Sequence, residues 1–192
     1  NGGSPIINGY ANTYFEVAPS DVNGQTAGDN GTINFGTTPF APIGTWDRPF
    51  KGNLEGNGCT LQNLIINKDG NEAGLFGCVI GSTIKNLKIG AGSSILGKIQ
   101  VGGFVGCLKD GGGSTLDNLT IEAGVSISAQ CSVGGIVGLI QAAKSTISNC
   151  ENFGSVSSTD VYTIHGKNGA FLGGIVGLVR SDGKFEISNC KN

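Results

Sequence analysis

Gly102-Gly-Phe-Val-Gly106 and, a little further on, Thr115-Leu-Asp-Asn-Leu119 decide how this sequence is read, because both phrases recur. The glycine-bracketed phrase returns as Ala73-Gly-Leu-Phe-Gly77, Gly134-Gly-Ile-Val-Gly138 and Gly173-Gly-Ile-Val-Gly177. The second phrase, Thr-apolar-x-Asn-apolar, returns at Thr60–Leu64, Thr83–Leu87 and Thr146–Cys150, with a variant at Glu186–Cys190. Successive glycine phrases start 29, 32 and 39 residues apart. The asparagines Asn63, Asn86, Asn118, Asn149 and Asn189 step by 23, 32, 31 and 40. The apolar runs in each unit have the length of strands, and none keeps helical spacing long enough to make a helix.

One such unit cannot bury its own apolar face, but a stack of units shares a continuous core. The pattern therefore predicts an all-β, single parallel β-solenoid of about four to five coils, right-handed by the crossover preference. Like residues should then lie over like in columns. One column holds Phe76, Val105, Val137 and Val176; another holds Cys78, Cys107, Leu139 and Leu178. A third holds Leu61, Ile84, Leu116, Ile147 and Ile187. Residues 46–192 form the repeats. Residues 1–45, less regular but with strand-like Tyr14-Phe-Glu-Val-Ala and Thr32-Ile-Asn-Phe, are read as an N-terminal β cap, since an open sheet end invites pairing. The whole makes one structural domain.

Composition agrees. The chain has 192 residues with 35 Gly, and only 14% are charged, where ordinary domains carry ~25%. Recurrent Ile, Val, Leu and Phe argue against disorder. A net charge of −2 offers no basic field for nucleic acid or an anionic membrane. No apolar run is long enough to span a bilayer as a helix. With no leading Met and no signal segment, the chain reads as a processed product or an excised segment.

The Asn column is the sharpest structural signal. Asn tolerates left-handed backbone, and amides stacked at one corner can hydrogen-bond from coil to coil. Asn63, Asn86, Asn118, Asn149 and Asn189 are therefore expected to form a structural ladder rather than a ligand site. Six cysteines, with a single His in the chain, make a zinc site implausible. Cys78 over Cys107 and Cys150 over Cys190 would bring Cα atoms about 4.8 Å apart, within disulfide range. These two pairs are the expected disulfides, although parallel side-chain vectors oppose the bond. Cys59 and Cys131 have no partner in the columns.

Pro42-Ile-Gly-Thr-Trp-Asp-Arg-Pro-Phe-Lys-Gly-Asn-Leu-Glu-Gly-Asn-Gly-Cys-Thr-Leu-Gln-Asn-Leu64 resembles the opening of GLUG-motif repeats. Gly-Gly-Ile-Val-Gly and Ile-Ser-Asn-Cys resemble that family's core and closing phrases. The resemblance spans residues 33–192. The sequence departs from the family pattern at Glu55, where Asp is usual, and at Cys59, where His is usual. The resemblance implies a β-helical stalk or binding surface of a microbial surface or adhesin-type protein, with no catalytic residues to transfer.

No catalytic, cofactor-binding or metal site is expected. Solenoid lyases and hydrolases need clustered carboxylates, and the acidic residues here are scattered, with Gln62, Lys85 and Ser148 taken as the equivalents of Asp117. The predicted function is thus a non-catalytic extracellular structural protein: a stalk, an adhesin segment or a filament subunit. The alternative is a glycan- or protein-binding module using the loop faces, with host or matrix molecules as partners. Tyr162 and His165, in the longest segment between core phrases, are the candidate contact loop. Asn30, in Asn30-Gly-Thr32, is the candidate glycosylation site, whereas Asn118-Leu-Thr120 is expected to stay bare within the ladder. An ice-binding reading rests on Thr60, Thr83, Thr115 and Thr146 as one column, without a paired array. The sequence stops straight after a core phrase, which suggests continuation into a longer protein or head-to-tail docking into filaments.

Overall fold

The computed structural model describes residues 14–16, 31–159, 163–164 and 167–192. Among them there is no helix. The chain winds through about four turns of a parallel β-solenoid, each turn laying one strand on each of four sheets. The longest sheet runs Tyr14–Glu16, Asn53–Gln62, Thr83–Ile89, Thr115–Ile121, Thr146–Ser148 and Glu186–Ser188. The second stacks Ile65–Asn67, Ser94–Leu96, Ser126–Ala129 and Ser155–Ser158. The third stacks Glu72–Ala73, Gln100–Gly102, Ser132–Gly134 and Phe171–Gly173. The fourth stacks Phe76–Val79, Val105–Leu108, Val137–Ile140 and Val176–Val179.

Every neighbour in these four sheets is parallel, and the glycine-phrase columns fall in register as the repeats require. Val105 pairs with Phe76 and Val137, and Cys107 with Cys78 and Leu139. Leu116 pairs with Ile84 and Ile147, all three fully buried. One apolar cluster runs through the stack from Ile33 to Cys150. Strands rather than helices form because β-branched residues alternate with Ser, Thr, Asn and Lys at period two, while turns supply the bends.

The glycines of the recurrent phrase serve close approach, not unusual dihedrals. A Cβ on Gly106 would lie 2.7 Å from the carbonyl oxygen of Gly77 and 2.8 Å from the nitrogen of Ala73. One on Gly138 would collide with the nitrogen of Val101. The fourth sheet thus rests against the backbone of the third with no room for a side chain. At the corner before it, Gly103 leaves space for Ile121, Gly135 for Asn152 and Gly174 for Asn192.

The first coil departs from the register expected above. Leu54, not Leu61, pairs with Ile84, and Glu55, not Gln62, pairs with Lys85. Gly56-Asn57-Gly58 then bulges opposite the single residue Asn86, before Cys59 pairs with Leu87 and Leu61 with Ile89. Asn57 and Gly58 take φ of 52° and 74° there, so the insertion is absorbed by left-handed backbone that Asn and Gly accept. Thr60 consequently leaves the threonine column, whose members are Thr83, Thr115 and Thr146, flanked by Asn53 and Glu186. Three threonines interrupted at both ends do not make the flat array that the ice-binding reading needs.

At the N-terminal end, Thr32–Asn34 pairs with Thr60–Gln62, Ile43 bridges to Phe76 and Phe50 to Val79. Residues 32–50 therefore follow the path of a coil, and the boundary drawn at 45/46 falls inside that layer. Aromatic rings close this end: Phe35 meets Phe40 edge-on at 5.3 Å, and Phe50 lies 4.8 Å from Phe76. Ile33 and Phe50 are buried.

Candidate functional site

The surface with most chemistry is the outer face of the longest sheet and its asparagine corner. One outward column reads Glu55, Lys85, Asp117, Ser148 and Ser188. Beyond the corner, Thr60, Lys88, Thr120 and Glu151 follow one another, and Lys191 bridges to Glu151.

Asn86, Asn118, Asn149 and Asn189 share the corner, each with φ between 51° and 58°. Left-handed backbone at each layer turns the strand while leaving the amide pointing along the stack. Asn118 Nδ2 donates to Asn86 Oδ1 at 2.8 Å, and Asn189 Nδ2 to Asn149 Oδ1 at 3.4 Å. The other two rungs switch to acids: Asn86 Nδ2 donates to Glu55 Oε1 at 2.7 Å, and Asn149 Nδ2 to Asp117 Oδ1 at 2.8 Å. Asn63 is not part of this ladder. It has the same left-handed φ of 54°, but it sits at the next corner, where Nδ2 donates to Asn34 Oδ1 at 2.9 Å and its backbone N–H to Ala91. The step of 23 from Asn63 to Asn86, against 31 to 40 elsewhere, was the signal of a different column.

Glu55 and Asp117 therefore share a column, an acidic pairing the sequence did not reveal. Lys85 lies between them and approaches Glu55 Oε2 at 3.2 Å. Burial works to raise the Glu55 pKa, but the Asn57 backbone N–H, the Asn86 amide and Lys85 outweigh it and hold the carboxyl below its ordinary value. A general acid needs the opposite shift. Asp117 Oδ1 also accepts from Ser148 Oγ at 2.7 Å. At these positions the carboxylates act as acceptors for the neighbouring coil.

Two further polar columns escaped the sequence reading. Ser82 and Ser114 donate backbone N–H groups to the hydroxyls of Ser114 and Ser145, and all three serines are buried. The recurring Ser-Thr pair at 82–83, 114–115 and 145–146 marks them. The core column Leu61, Ile89, Ile121 changes to Asn152, and Asn152 Nδ2 donates to Asn192 Oδ1 at 2.7 Å. The repeated Ser-Asn-Cys-x-Asn at 148–152 and 188–192 carries that signal.

All six cysteines are free thiols. Cys78 stacks in register on Cys107 as expected, but the Cys78–Cys107 and Cys150–Cys190 disulfides are not formed. Parallel strands point the paired side chains the same way, and the thiols find acceptors instead. Cys150 Sγ donates to the Ser148 carbonyl at 3.2 Å, and Cys190 Sγ repeats the contact with Ser188 at 3.3 Å. Burial pushes the Cys150 thiol up to about 12, helped by the neighbouring Cys190 and Asp117. Cys107 is raised by its contact with Cys78 and then by burial. Cys59, placed in the column of Leu87, is raised by burial alone. Buried, protonated thiols with raised pKa are poor nucleophiles.

Tyr162, His165 and Asn30 lie outside the described residues. Among the described residues no group of three metal-ligating side chains comes together. The one tryptophan, Trp46, is partly exposed, with Lys109 Nζ 4.4 Å over its ring and bonded to its carbonyl at 2.7 Å.

These ladders and sheets define the class: a parallel β-solenoid whose coils are joined by in-register polar and apolar columns. No family model matches the chain, and neither a curated protein nor a solved structure matches it.

Proposed function

We propose that this chain is a non-catalytic structural element of the cell exterior, a stalk or adhesive segment built from stacked coils. One observation carries the reading. On the outer face of the longest sheet, the groups best suited to chemistry are bonded to one another along the stack: Glu55 with Lys85 and Asn86, Asp117 with Ser148 and Asn149, Glu151 with Lys191. Such pairing joins each coil to the next and occupies the donors and acceptors that a substrate would need. The extracellular placing rests on the resemblance of residues 33–192 to GLUG repeats and on the charge-poor, Gly-rich composition.

The test is incubation of the full chain with panels of polysaccharides and of matrix proteins, following both retention and cleavage. The reading expects no turnover, with or without Asp117→Asn. Release of new reducing ends or peptides that disappears in Asp117→Asn would refute it.

A further inference from the structure

Cations gather along one edge of the solenoid. The edge is made by the connections that lead from the fourth sheet back to the longest one, with the loop 44–49 beside them. Phe50, Val79, Leu108, Ile140 and Val179 pair in one column of the fourth sheet. The next residues of the five coils are Lys51, Ile80, Lys109, Gln141 and Arg180. The N–H groups of the last four each donate to the preceding coil, at Phe50, Val79, Leu108 and Ile140, over 2.8 to 2.9 Å. Lys51, Lys109 and Arg180 therefore stand on alternate coils, about 9.6 Å apart at a strand spacing of about 4.8 Å. Lys144 and Lys184 follow at the corner on successive coils, where the Lys144 N–H donates to the Lys184 carbonyl.

The loop adds Arg48 and Trp46. Ile43 bridges to Phe76 and Phe50 to Val79, so residues 44–49 stand out from the fourth sheet. Arg48 N–H donates to Thr45 Oγ1 at 3.2 Å and Thr45 N–H to the Arg48 carbonyl at 3.0 Å, which closes the loop. Lys109 Nζ holds Trp46 by its carbonyl and ring while the indole stays partly exposed. Asp47, Asp110 and Asp182 are the acids of the same edge. Six cations against three carboxylates make it net positive in a chain of net charge −2. The ion pairs of the described residues are made by Lys68, Lys85, Lys98 and Lys191, and no cation of this edge enters one.

We propose that this edge binds an extended acidic polysaccharide, with carboxylate or sulfate on some of its sugars, laid along the stack. The inference rests on the adhesive-segment reading and names what the segment adheres to. Cations about 9.6 Å apart suit a sparse polyanion. Duplex DNA carries a charge about every 1.7 Å of its axis, and the interspersed carboxylates oppose so dense a partner. Sugar hydroxyls, by contrast, donate to those carboxylates. The indole offers an apolar face to a pyranose ring. Screening confines each charge to about 8 Å at physiological salt, so acids on the other faces do not cancel this edge.

The experiment titrates the full chain with hyaluronan and with chondroitin sulfate, against neutral dextran and a DNA duplex at the same salt. Trp46 is the only tryptophan, so its fluorescence reports binding at this edge. A saturable change is expected with an acidic polysaccharide and none with dextran, and rising NaCl should abolish it. Lys51→Gln combined with Arg180→Gln should weaken binding by about tenfold. Lys88→Gln combined with Lys98→Gln removes the same charge from exposed sites off the edge and should change binding by less than about twofold. Unchanged urea midpoints confirm that both variants fold. The proposal is overturned if neither acidic polysaccharide binds, if the two double variants weaken binding equally, or if the duplex binds more tightly. Cleavage of a bound polysaccharide would refute the structural reading and leave this binding edge standing, whereas absence of both binding and cleavage would do the reverse.

Discussion

A single methyl group on Gly106 probes the tightest packing in the solenoid. Its Cβ would stand 2.7 Å from Gly77 O, 2.8 Å from Ala73 N and 3.0 Å from Gln100 O. All three are backbone atoms of parallel sheets, so no side-chain rotation relieves the contact, and the layers must separate. Overpacking of a well-packed interior costs about 1–3 kcal/mol, and an unyielding backbone neighbour places this site at about 3. Against that, alanine loses less entropy on folding than glycine, a gain of about 0.4–1 kcal/mol. The net expectation for Gly106→Ala is destabilisation by about 2 kcal/mol. For a chain of this length that lowers Tm by about 4–8 °C. Gly169→Ala is the matched control: nothing lies within 4 Å of its Cβ, and a change within about 0.5 kcal/mol is expected. Urea unfolding followed by circular dichroism measures both. If Gly106→Ala unfolds at the same midpoint as the parent, the third and fourth sheets are not in backbone contact, and the account of the glycine phrase fails.

Asn118→Ala loses the bond to Asn86 and places a Cβ-bearing residue without Asn's local bonding at φ 51°, so a loss of about 2 kcal/mol is expected. Asn118→Gly keeps the left-handed backbone and should lose only about 0.5–1 kcal/mol; equal losses in urea titrations would mean that the backbone conformation carries no weight. Alkaline stability follows from the buried thiols. The folded pKa values of Cys59, Cys107 and Cys150 lie above the unfolded value near 8.5, so their stabilisation is whole below that pH and declines as pH rises toward the folded value of about 12 at Cys150. The slope per thiol is about 1.4 kcal/mol per pH unit. Replacing Cys150 with Ala should flatten that decline, and an unchanged pH profile would contradict it. Thiol titration should find six reactive groups after unfolding and only Cys190 reacting readily in the native state, since the other five are buried; four or two groups after unfolding would restore the disulfides expected from sequence.

Much of the architecture was legible because a solenoid is nearly one-dimensional. A residue's neighbour lies one repeat away, so the recurrence of Gly-Gly-Ile-Val-Gly and Thr-Ile-x-Asn already states who packs on whom. The Phe76 and Cys78 columns follow directly, as does most of the amide corner. The candidate site was less legible. The pairing of Glu55 with Lys85 and Asn86 depends on the first coil, where a local phrase, Thr60-Leu-Gln-Asn-Leu64, imitates the repeat at the wrong end of a ten-residue strand.

The sequence by itself determined that strands would stack in parallel, and which apolar columns would fill the core, since periodic burial follows from composition at fixed spacing. Only the tertiary structure decided the register of Asn53–Gln62. Three residues, Gly56, Asn57 and Gly58, face one, Asn86, and an insertion of that kind changes no local preference. It is resolved by which alignment buries Leu54 and Cys59 and pairs Glu55, a choice that exists only once the neighbouring coil is in place.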